Sequence, residues 1–158
     1  MMEFRRARNN DIEQIEQLLM QVLNIHAEGR PDIFIPDTVK YTAAQLAIMI
    51  QDDQKPIFVA ADDKDQILGY AFCILKDYSG SNNRTPIRTL FIDDLCVEQS
   101  CRGMHVGSFL IEQVKAHAAS IGCYNVTLNV WSFNSSAQKF YEKQGLKPME
   151  TTLECILK

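Results

Sequence analysis

Two adjacent acids, Asp93 and Asp94, interrupt an otherwise apolar run that reads LFIDDLCV. A carboxylate inside a buried strand costs free energy unless it has a partner or a chemical task. Strict alternation along a strand predicts that the two acids point to opposite faces, so that at least one meets the interior or a cleft. Such a carboxylate could act as a general base, although pairing with Arg88 or with backbone groups would also explain both acids.

A second candidate site is the segment CRGMHVGS, residues 101–108, which precedes the apolar run Phe109–Ile111. Gly103 and Gly107 indicate a loop that leads into a helix, where free backbone N–H groups attract anions. The spacing is neither that of a Walker A loop nor that of a GxGxxG fingerprint. Taken alone, the segment fits an anion-binding turn and an ordinary glycine turn equally well.

The third candidate lies in NVWSFNSSAQKFYEKQGLKP, residues 129–148. Asn134 stands where a helix N-cap is expected, and Ala137, Phe140 and Tyr141 follow with the spacing of one helix face. Packing alone accounts for Phe140. The hydroxyl of Tyr141 requires a polar partner or a function.

The elements that would position these residues follow from hydrophobic periodicity and turn signals. We expect a mixed α/β (α+β) fold with a largely antiparallel sheet and the order β-α-α-β-β-β-α-β-α-β. The predicted strands are 2–7, 56–61, 66–75, 86–97, 124–130 and 153–157, and the predicted helices are about 10–24, 42–53, 104–121 and 135–144.

Local signals refine the first two helices. Asn9 or Asn10 can cap the first helix, and Thr42 with Gln45 forms a capping-box pattern for the second. Between these helices, residues 25–41 contain two prolines and a glycine and predict an irregular connection. Connections of this length are frequently functional.

Composition limits the class of protein. The 158 residues predict one domain, 1–158, and no apolar stretch is long enough to span a membrane. A net charge of −4 disfavours nucleic-acid binding.

The N-terminal residues lack the apolar core of a secretory signal, and the five scattered cysteines indicate reduced thiols, so we expect a cytoplasmic protein. The three histidines show no metal-ligand spacing, so no metal site is expected.

Together, the second and third segments resemble the acetyl-CoA motifs of the GNAT (Gcn5-related) N-acetyltransferase family. The family pattern Arg/Gln-x-x-Gly-x-Gly/Ala is met in degenerate form by Arg102-Gly103-Met104-His105-Val106-Gly107. The family's second block, Asn-x-x-Ala-x-x-Phe/Tyr-Tyr-x-x-x-Gly, is complete from Asn134 to Gly145. The order of elements matches that of the family over nearly the whole chain.

The resemblance implies acetyl-CoA as the cofactor and Tyr141 as the general acid for the coenzyme A thiolate. It also implies backbone contacts to the pantetheine arm from the fourth strand. His105 departs from the glycine usual in the family, and we expect it to be tolerated with a negative φ. The implied cofactor-binding residues are Leu95, Cys96, Val97, Arg102, Gly103, Met104, His105, Val106, Gly107, Ser108 and Asn134.

The strand that carries the two acids resembles the corresponding strand of polyamine-type acetyltransferases, which implies Asp93 as a base acting through water. Asp94 would then contact substrate or anchor the structure. Asn129 stands where ribosomal-protein acetylases of the family carry a glutamate base, and an amide cannot take that role. Glu28 and Asp32, in the irregular connection, could meet a cationic substrate.

These features favour acetylation of a primary amine on a small molecule, such as a polyamine, an aminoglycoside or an amino acid. A protein N-terminus or a lysine side chain is the alternative acceptor. A non-catalytic acyl-CoA-binding regulatory domain is the alternative of a different class, and the degenerate glycine motif is its only support. The resemblance to the family is the only reason to expect a homodimer.

Overall fold

The computed structural model describes all 158 residues and contains one five-stranded sheet with the order β1-β2-β3-β4-β5. The first four strands are antiparallel to their neighbours, and β5 runs parallel to β4. The predicted mixed α/β class with a largely antiparallel sheet is therefore confirmed. The elements are β1 (Glu3–Arg6), α1 (Ile12–Gly29), α2 (Ala43–Met49), β2 (Ile57–Ala61), β3 (Ile67–Asp77), β4 (Arg88–Val97), α3 (Val106–Ser120), β5 (Asn125–Leu128) and α4 (Ser135–Lys143).

The sheet separates two apolar cores because successive side chains of a strand point to opposite faces. Val59 packs with α1 and α2 on one face, whereas its neighbour Phe58 packs with α3 on the other. The α1/α2 core includes Ile15, Leu18, Leu19, Leu46, Tyr70 and Phe72. The α3 core includes Leu90, Ile92, Ile111, Val114 and Ala118.

Helix α1 is longer than predicted and shortens the connection that follows it. It continues to Gly29, and Ala27 in its last turn is buried. Gly29 and Pro31 are the stop signals, since proline cannot continue a helix. The predicted end at residue 24 was wrong because the helical spacing continues through His26 and Ala27. The capping box of Thr42 and Gln45 at the start of α2 is confirmed.

The last predicted strand, 153–157, does not form. Residues 147–158, called the C-terminal arm below, contain no helix or strand and take part in no backbone–backbone hydrogen bond. Leu153, Cys155 and Leu157 alternate as a strand would require. Alternation alone makes no strand, however, because the ladder also needs a neighbouring chain.

A buried ion pair ties β1 to the start of α1. The Arg5 Nη1 atom donates to Asp11 Oδ2 at 2.7 Å, and Arg5 Nη2 donates to Asp11 Oδ1 at 3.1 Å. The Asp11 carboxylate also accepts from the backbone N–H of Arg8 at 2.7 Å. Burial alone would raise the pKa of Asp11, but these hydrogen bonds hold it below its ordinary value.

None of the four α-helices combines the length and the hydropathy that crossing a bilayer requires.

Candidate active site

A β-bulge in β4 brings both acids to the same face of the sheet. Asp94 pairs with Phe72 of β3 and Ile92 pairs with Cys73, which leaves Asp93 as the extra residue. Ile92 and Leu95 both pack on the α3 side, so the two residues between them lie together on the α1/α2 side. The expectation of opposite faces was wrong because the bulge interrupts the alternation on which it rested.

Asp93 is held by the connection between α1 and α2. The ammonium group of Lys40 lies 2.9 Å from Asp93 Oδ2, and the hydroxyl of Tyr41 donates to the same oxygen at 3.2 Å. Tyr41 in turn stacks on Phe72 with ring centroids 5.7 Å apart. Asp93 is thus a paired carboxylate, and its partners lie 53 and 52 residues away in sequence.

Asp94 lies deeper in the site. Its Oδ2 atom accepts a hydrogen bond of 3.0 Å from the hydroxyl of Tyr70, a residue with no exposed surface. Burial raises the pKa of Asp94 to about 6, against the opposing effects of Lys40 and Tyr70. A carboxylate with this pKa is mostly ionised at neutral pH and can still accept a proton readily.

The sheet opens beside these acids. β5 pairs with β4 only from Thr89 to Ile92, and its last residue, Leu128, lies opposite Ile92. The stretch of β4 from Asp93 to Val97 therefore has β3 on one side and no strand on the other. A cleft of about 2150 Å³ lies next to this opening, and its walls include Lys40, Asp93, Asp94, Leu128, Trp131 and Tyr141.

Tyr141 faces the same cleft from α4. Asn134 caps this helix as predicted, with its side-chain oxygen accepting from the N–H of Ala137 at 3.3 Å. The hydroxyl of Tyr141 makes no hydrogen bond within the chain. Burial, with a further contribution from the charge of Asp94, raises the pKa of Tyr141 to about 12. The phenol therefore stays protonated at neutral pH and is free to donate.

The loop before α3 has a backbone that only glycine adopts without strain. Gly103 has φ +88°, and space is open where a Cβ would lie. His105 has φ +62° in the left-handed region, so the expectation of a negative φ was wrong. Its side chain is accommodated in a conformation that costs a non-glycine residue free energy.

Gly107, in the first turn of α3, has a different role from Gly103 in the loop. A Cβ at Gly107 would lie 2.9 Å from Cζ of Phe140. The missing side chain lets the first turn of α3 pack directly on α4. Phe140 is thus a packing residue, as expected from the sequence.

The remaining residues predicted to bind cofactor lie around this loop and along β4. Met104 is exposed, and Val106, the first residue of α3, is buried. The Ser108 hydroxyl accepts from Gln144 Nε2 at 3.0 Å. The thiol of Cys96 points into the α1/α2 core and donates to the carbonyl of Leu18, so only the backbone of Cys96 is available at the opening.

Two residues predicted to bind substrate lie away from the acids. Glu28 is on the exposed face of α1. Asp32 is bound by Arg30, whose Nη2 lies 2.8 Å from Asp32 Oδ2. Neither forms part of the cleft wall.

An aromatic cluster that the sequence reading missed lines the cleft instead. The rings of His26 and Phe34 lie 5.2 Å apart, and those of Phe34 and Trp131 lie 5.4 Å apart. Phe133 stacks on Trp131 at 6.0 Å and is not itself part of the cleft wall. The sequence did contain a signal for this cluster. Phe34 lies in the segment before α2, Trp131 and Phe133 lie in the segment before α4, and His26 lies within α1.

Solved structures share this architecture. BH1408 from Bacillus halodurans, solved as a tetramutant, has a TM-score of 0.92 and 24% identity, covering 98% of this chain and 99% of that chain. A glucosamine-6-phosphate N-acetyltransferase from Arabidopsis thaliana has a TM-score of 0.68 and 18% identity, covering 100% and 99%. At these identities the likeness shows the fold.

Sequence comparison adds the family. The curated relative YwnH of Bacillus subtilis (strain 168), provisionally named a phosphinothricin acetyltransferase, is 25% identical over 95 residues, which are 59% of this chain and 54% of that protein. The chain thus matches about half the length of this relative. The model described as acetyltransferase (GNAT) family matches residues 19–146. This match covers more than half of the chain, which therefore belongs to the acetyltransferase (GNAT) family.

Proposed function

We propose that the protein is an acetyl-CoA-dependent N-acetyltransferase that acetylates a primary amine of a small molecule. The observation that carries the proposal is the presence of Asp94 and Tyr141 on one cleft, beside the opening between β4 and β5. The first is a carboxylate with a pKa of about 6, and the second is a phenol without a hydrogen-bond partner. Amine acylation needs one group that takes a proton and another that gives one.

The residues at the opening fit the acetyl donor. The free side of β4 at Leu95 and Val97 presents backbone groups for an extended amide-containing arm, and the loop Arg102–Ser108 presents N–H groups at the start of the 15-residue helix α3. The open space at Gly103 leaves room for a pyrophosphate. When bound, the donor supplies a thioester whose carbonyl an amine can attack.

The two acids have different roles: Asp94 is the base, and Asp93 is a positioning residue. Asp94 takes a proton from the ammonium group before the neutral amine attacks, or from the nitrogen as it attacks, directly or through water. Asp93 holds Lys40 and Tyr41, and so positions the connection between α1 and α2 along the cleft. This division reverses the one suggested by family resemblance, and it rests on the pKa of Asp94 and the pairing of Asp93.

Tyr141 donates its proton to the departing sulfur. A phenol with a pKa of about 12 is a weak acid for a thiolate in water. Burial that raises the pKa of the phenol would also raise the pKa of a coenzyme A thiol held beside it, because both groups lose hydration of their anions. The proton therefore passes between two groups whose pKa values are shifted in the same direction.

The aromatic residues His26, Phe34 and Trp131 on the cleft wall favour an acceptor with an apolar or ring-shaped body next to its amine. Aromatic faces bind apolar groups and also attract ammonium groups. Asp93 and Asp94 supply the opposite charge for the amine itself. This cluster supports a small-molecule amine over a peptide backbone, and it is the feature of this chain that would select among acceptors.

The five cysteines, none of which forms a disulfide, support a reducing compartment. Burial raises the pKa of the thiols of Cys73 and Cys96 well above the ordinary value, so both resist oxidation. We therefore infer that the enzyme works in the cytoplasm.

The proposal is tested by release of free thiol from acetyl-CoA with a panel of amines: polyamines, aminoglycosides, amino acids, arylalkylamines and short peptides. Tyr141→Phe removes only the hydroxyl that faces the cleft. Tyr124→Phe is the matched control. Tyr124 borders the same cleft, but it lies just before β5, at the end far from Asp94.

We expect selective turnover of one amine class, a fall of at least about 10²-fold in Tyr141→Phe, and full activity in Tyr124→Phe. Thermal stabilisation by acetyl-CoA without turnover of any amine would favour the binding domain instead. Turnover of peptides alone would assign the activity to protein acceptors. Equal rates in the two phenylalanine variants would remove the role given to Tyr141.

A further inference from the structure

One primary amine of the chain itself lies in the cleft, beside the two acids. The lysines that border the cleft are Lys40, Lys76, Lys115 and Lys147. Of these, only Lys40 contacts an acid of the site, with its Nζ atom 2.9 Å from Asp93 Oδ2. Burial raises the pKa of Asp94, and the charge of Lys40 opposes this effect. An ammonium group of the chain therefore lies where an ammonium acceptor would meet the same two carboxylates.

The backbone on either side of Lys40 is held in place by apolar packing. Val39 and Tyr41 both pack against the α1/α2 core. At the other end of the same connection, Arg30 Nη1 lies 2.6 Å from Glu154 Oε1 of the C-terminal arm. These contacts keep the main chain at Lys40 beside the cleft.

The end of the Lys40 side chain, by contrast, has few contacts. The side chain is 45% exposed, and its ammonium group lies near the Asp93 carboxylate and 5.5 Å from the centroid of the Tyr41 ring. An ion pair with an exposed member contributes little free energy. Because a lysine carries its charge on a flexible four-carbon stem, the ammonium group can leave Asp93 and move within the cleft while the main chain stays in place.

The surroundings of Lys40 differ from those of two other lysines on the cleft wall. Lys115 donates to Glu112 at 2.9 Å and to the carbonyl of Gln144 at 2.8 Å. Lys76 lies over the ring of Phe91, with its Nζ atom 4.1 Å from the centroid. Neither lysine lies next to the carboxylate that takes the proton in the proposed function.

Lys40 is also a poor target for uncatalysed acylation. Burial lowers its pKa, but the hydrogen bond and the charge of Asp93 outweigh burial and raise the pKa above the ordinary value. Only the neutral amine is a nucleophile, and a raised pKa leaves less of it at neutral pH. Preferential acylation of Lys40 would therefore require the groups of the site.

We propose that Lys40 is a site of self-acetylation, and that the protein transfers an acetyl group from acetyl-CoA to its own Lys40 Nζ when no acceptor occupies the cleft. This inference rests on the proposed function, because it uses the same donor, the same base and the same acid. The modification replaces an ammonium group by a neutral amide. Asp93 then loses its cationic partner.

The transfer balances without a further reactant. A bond forms between the Nζ atom of Lys40 and the carbonyl carbon of the thioester, and the carbon–sulfur bond breaks. The ammonium group loses two protons in all. The first goes to Asp94 and then to water, and the second replaces the proton that Tyr141 gives to the sulfur. The products are acetylated Lys40 and free coenzyme A.

The test is mass spectrometry of the full chain after incubation with acetyl-CoA alone, followed by peptide mapping of the lysines. Lys40→Arg is the matched variant, because a guanidinium keeps the charge beside Asp93 and does not lose its proton. Lys76→Arg makes the same change at another lysine of the cleft. Lys64, an exposed residue between β2 and β3, reports uncatalysed acetylation.

We expect the wild type and Lys76→Arg to gain one acetyl group at Lys40, and Lys40→Arg to gain none. Asp94→Asn should slow the gain at Lys40 by at least about 10²-fold, while the slow modification of Lys64 stays unchanged. The rate at Lys40 should be independent of protein concentration, because the amine and the acids belong to one chain. Acetyl-CoA should raise the melting temperature of every variant, which shows that the donor still binds.

Equal modification of Lys40 and Lys64, or an equal rate at Lys40 in Asp94→Asn, would overturn the proposal, since either result indicates uncatalysed acetylation. A rate that grows with protein concentration would also overturn it, because the transfer would then run between chains. If Lys40 stays unmodified in a protein that turns over free amines, the inference fails and the proposed function stands. If acetyl-CoA neither stabilises the protein nor releases thiol with any amine, the proposed function fails, and the inference fails with it.

Discussion

At the scale of single residues, the site depends on two adjacent carboxylates in different surroundings. Asp93 is paired with Lys40 and Tyr41. Asp94 is buried against Tyr70 and has a pKa of about 6. A buried carboxylate with a raised pKa on a cleft wall is typical of sites that move protons.

We expect Asp94→Asn to lower kcat by about 10²–10⁴-fold, the usual contribution of a general base. In the wild type, kcat/KM should fall as pH drops through about 6, since protonated Asp94 cannot accept a proton. A steady-state pH profile of the wild-type enzyme checks this expectation. A flat profile from pH 7.5 to 5 would assign the base to another group.

Asp94→Asn should also raise the free energy of unfolding of the protein at neutral pH. Because the pKa of Asp94 is raised on folding, the native state binds more protons between about pH 4 and 6, and the free energy of unfolding falls as pH rises through that window. Asp94→Asn should therefore gain about 1–3 kcal/mol at pH 7.5 and much less at pH 4. Denaturant unfolding at both pH values measures the difference.

Asp93→Asn is the matched control for the stability measurement. It loses the ion pair with Lys40, a residue that is itself partly exposed. We expect a small loss of about 0–1 kcal/mol, opposite in sign to the effect at Asp94. A gain at both positions would mean that the two carboxylates share one environment.

At the scale of elements, one position in the loop before α3 and one in the first turn of α3 depend closely on whether a Cβ is present. His105 adopts φ +62°, which costs about 1–2 kcal/mol for a residue with a Cβ. We expect His105→Gly to stabilise the protein by about 0.5–1 kcal/mol after the entropy of the added glycine is counted. Thermal unfolding measures this, and acetyl-CoA should still raise the melting temperature of the variant.

Met104→Gly is the control for that prediction. Met104 is next to His105 in sequence and does not have a positive φ. A glycine there should destabilise by about 0.5–1 kcal/mol. If both glycine variants lower the melting temperature, the left-handed conformation of His105 does not strain the loop.

Gly107→Ala should bring the added methyl group against Phe140. We expect a loss of about 1–3 kcal/mol, the usual range for overpacking, and weaker binding of acetyl-CoA. In the double variant with Phe140→Leu the loss should be smaller than the sum of the single losses, as a double-mutant cycle in denaturant would show. Additive losses would place the clash elsewhere.

At the scale of the whole molecule, one buried ion pair links the first strand to the first helix. The side chains of Arg5 and Asp11 are 7% and 3% exposed. Removing Asp11 leaves the buried Arg5 without its one buried partner, so we expect Asp11→Ala to cost about 3–5 kcal/mol. Asp65, which also bonds Arg5 at 2.7 Å but is largely exposed, is the control, and Asp65→Ala should cost less than about 1 kcal/mol.

Acid should destabilise the protein in part through the Arg5–Asp11 ion pair. The pKa of Asp11 is lowered on folding, so its contribution is present above the unfolded value near 3.9 and is lost as pH falls through the lower folded value. Unfolding curves of wild type and Asp11→Ala should therefore converge in strong acid. A constant gap between the two down to pH 2 would contradict this account.

Most helices and strands of this fold could be predicted from the sequence because they depend on local periodicity. The capping box at Thr42 and the cap at Asn134 are local too, and both are confirmed. The partners of Asp93 could not be predicted, since Lys40 lies 53 residues away. Neither could the bulge, which inserts one residue without any glycine or proline to mark it.

That bulge shifts the alternation of side chains along β4 by one residue, between the half that ends at Ile92 and the half that begins at Asp94. Before it, Leu90 and Ile92 belong to the α3 core; after it, Cys96 belongs to the α1/α2 core. Deleting Asp93 alone would restore strict alternation and leave Leu90, Ile92 and Cys96 facing the cores that they face now. The packing of the two cores therefore does not require the extra residue, and its geometric result is an acid pair on one face.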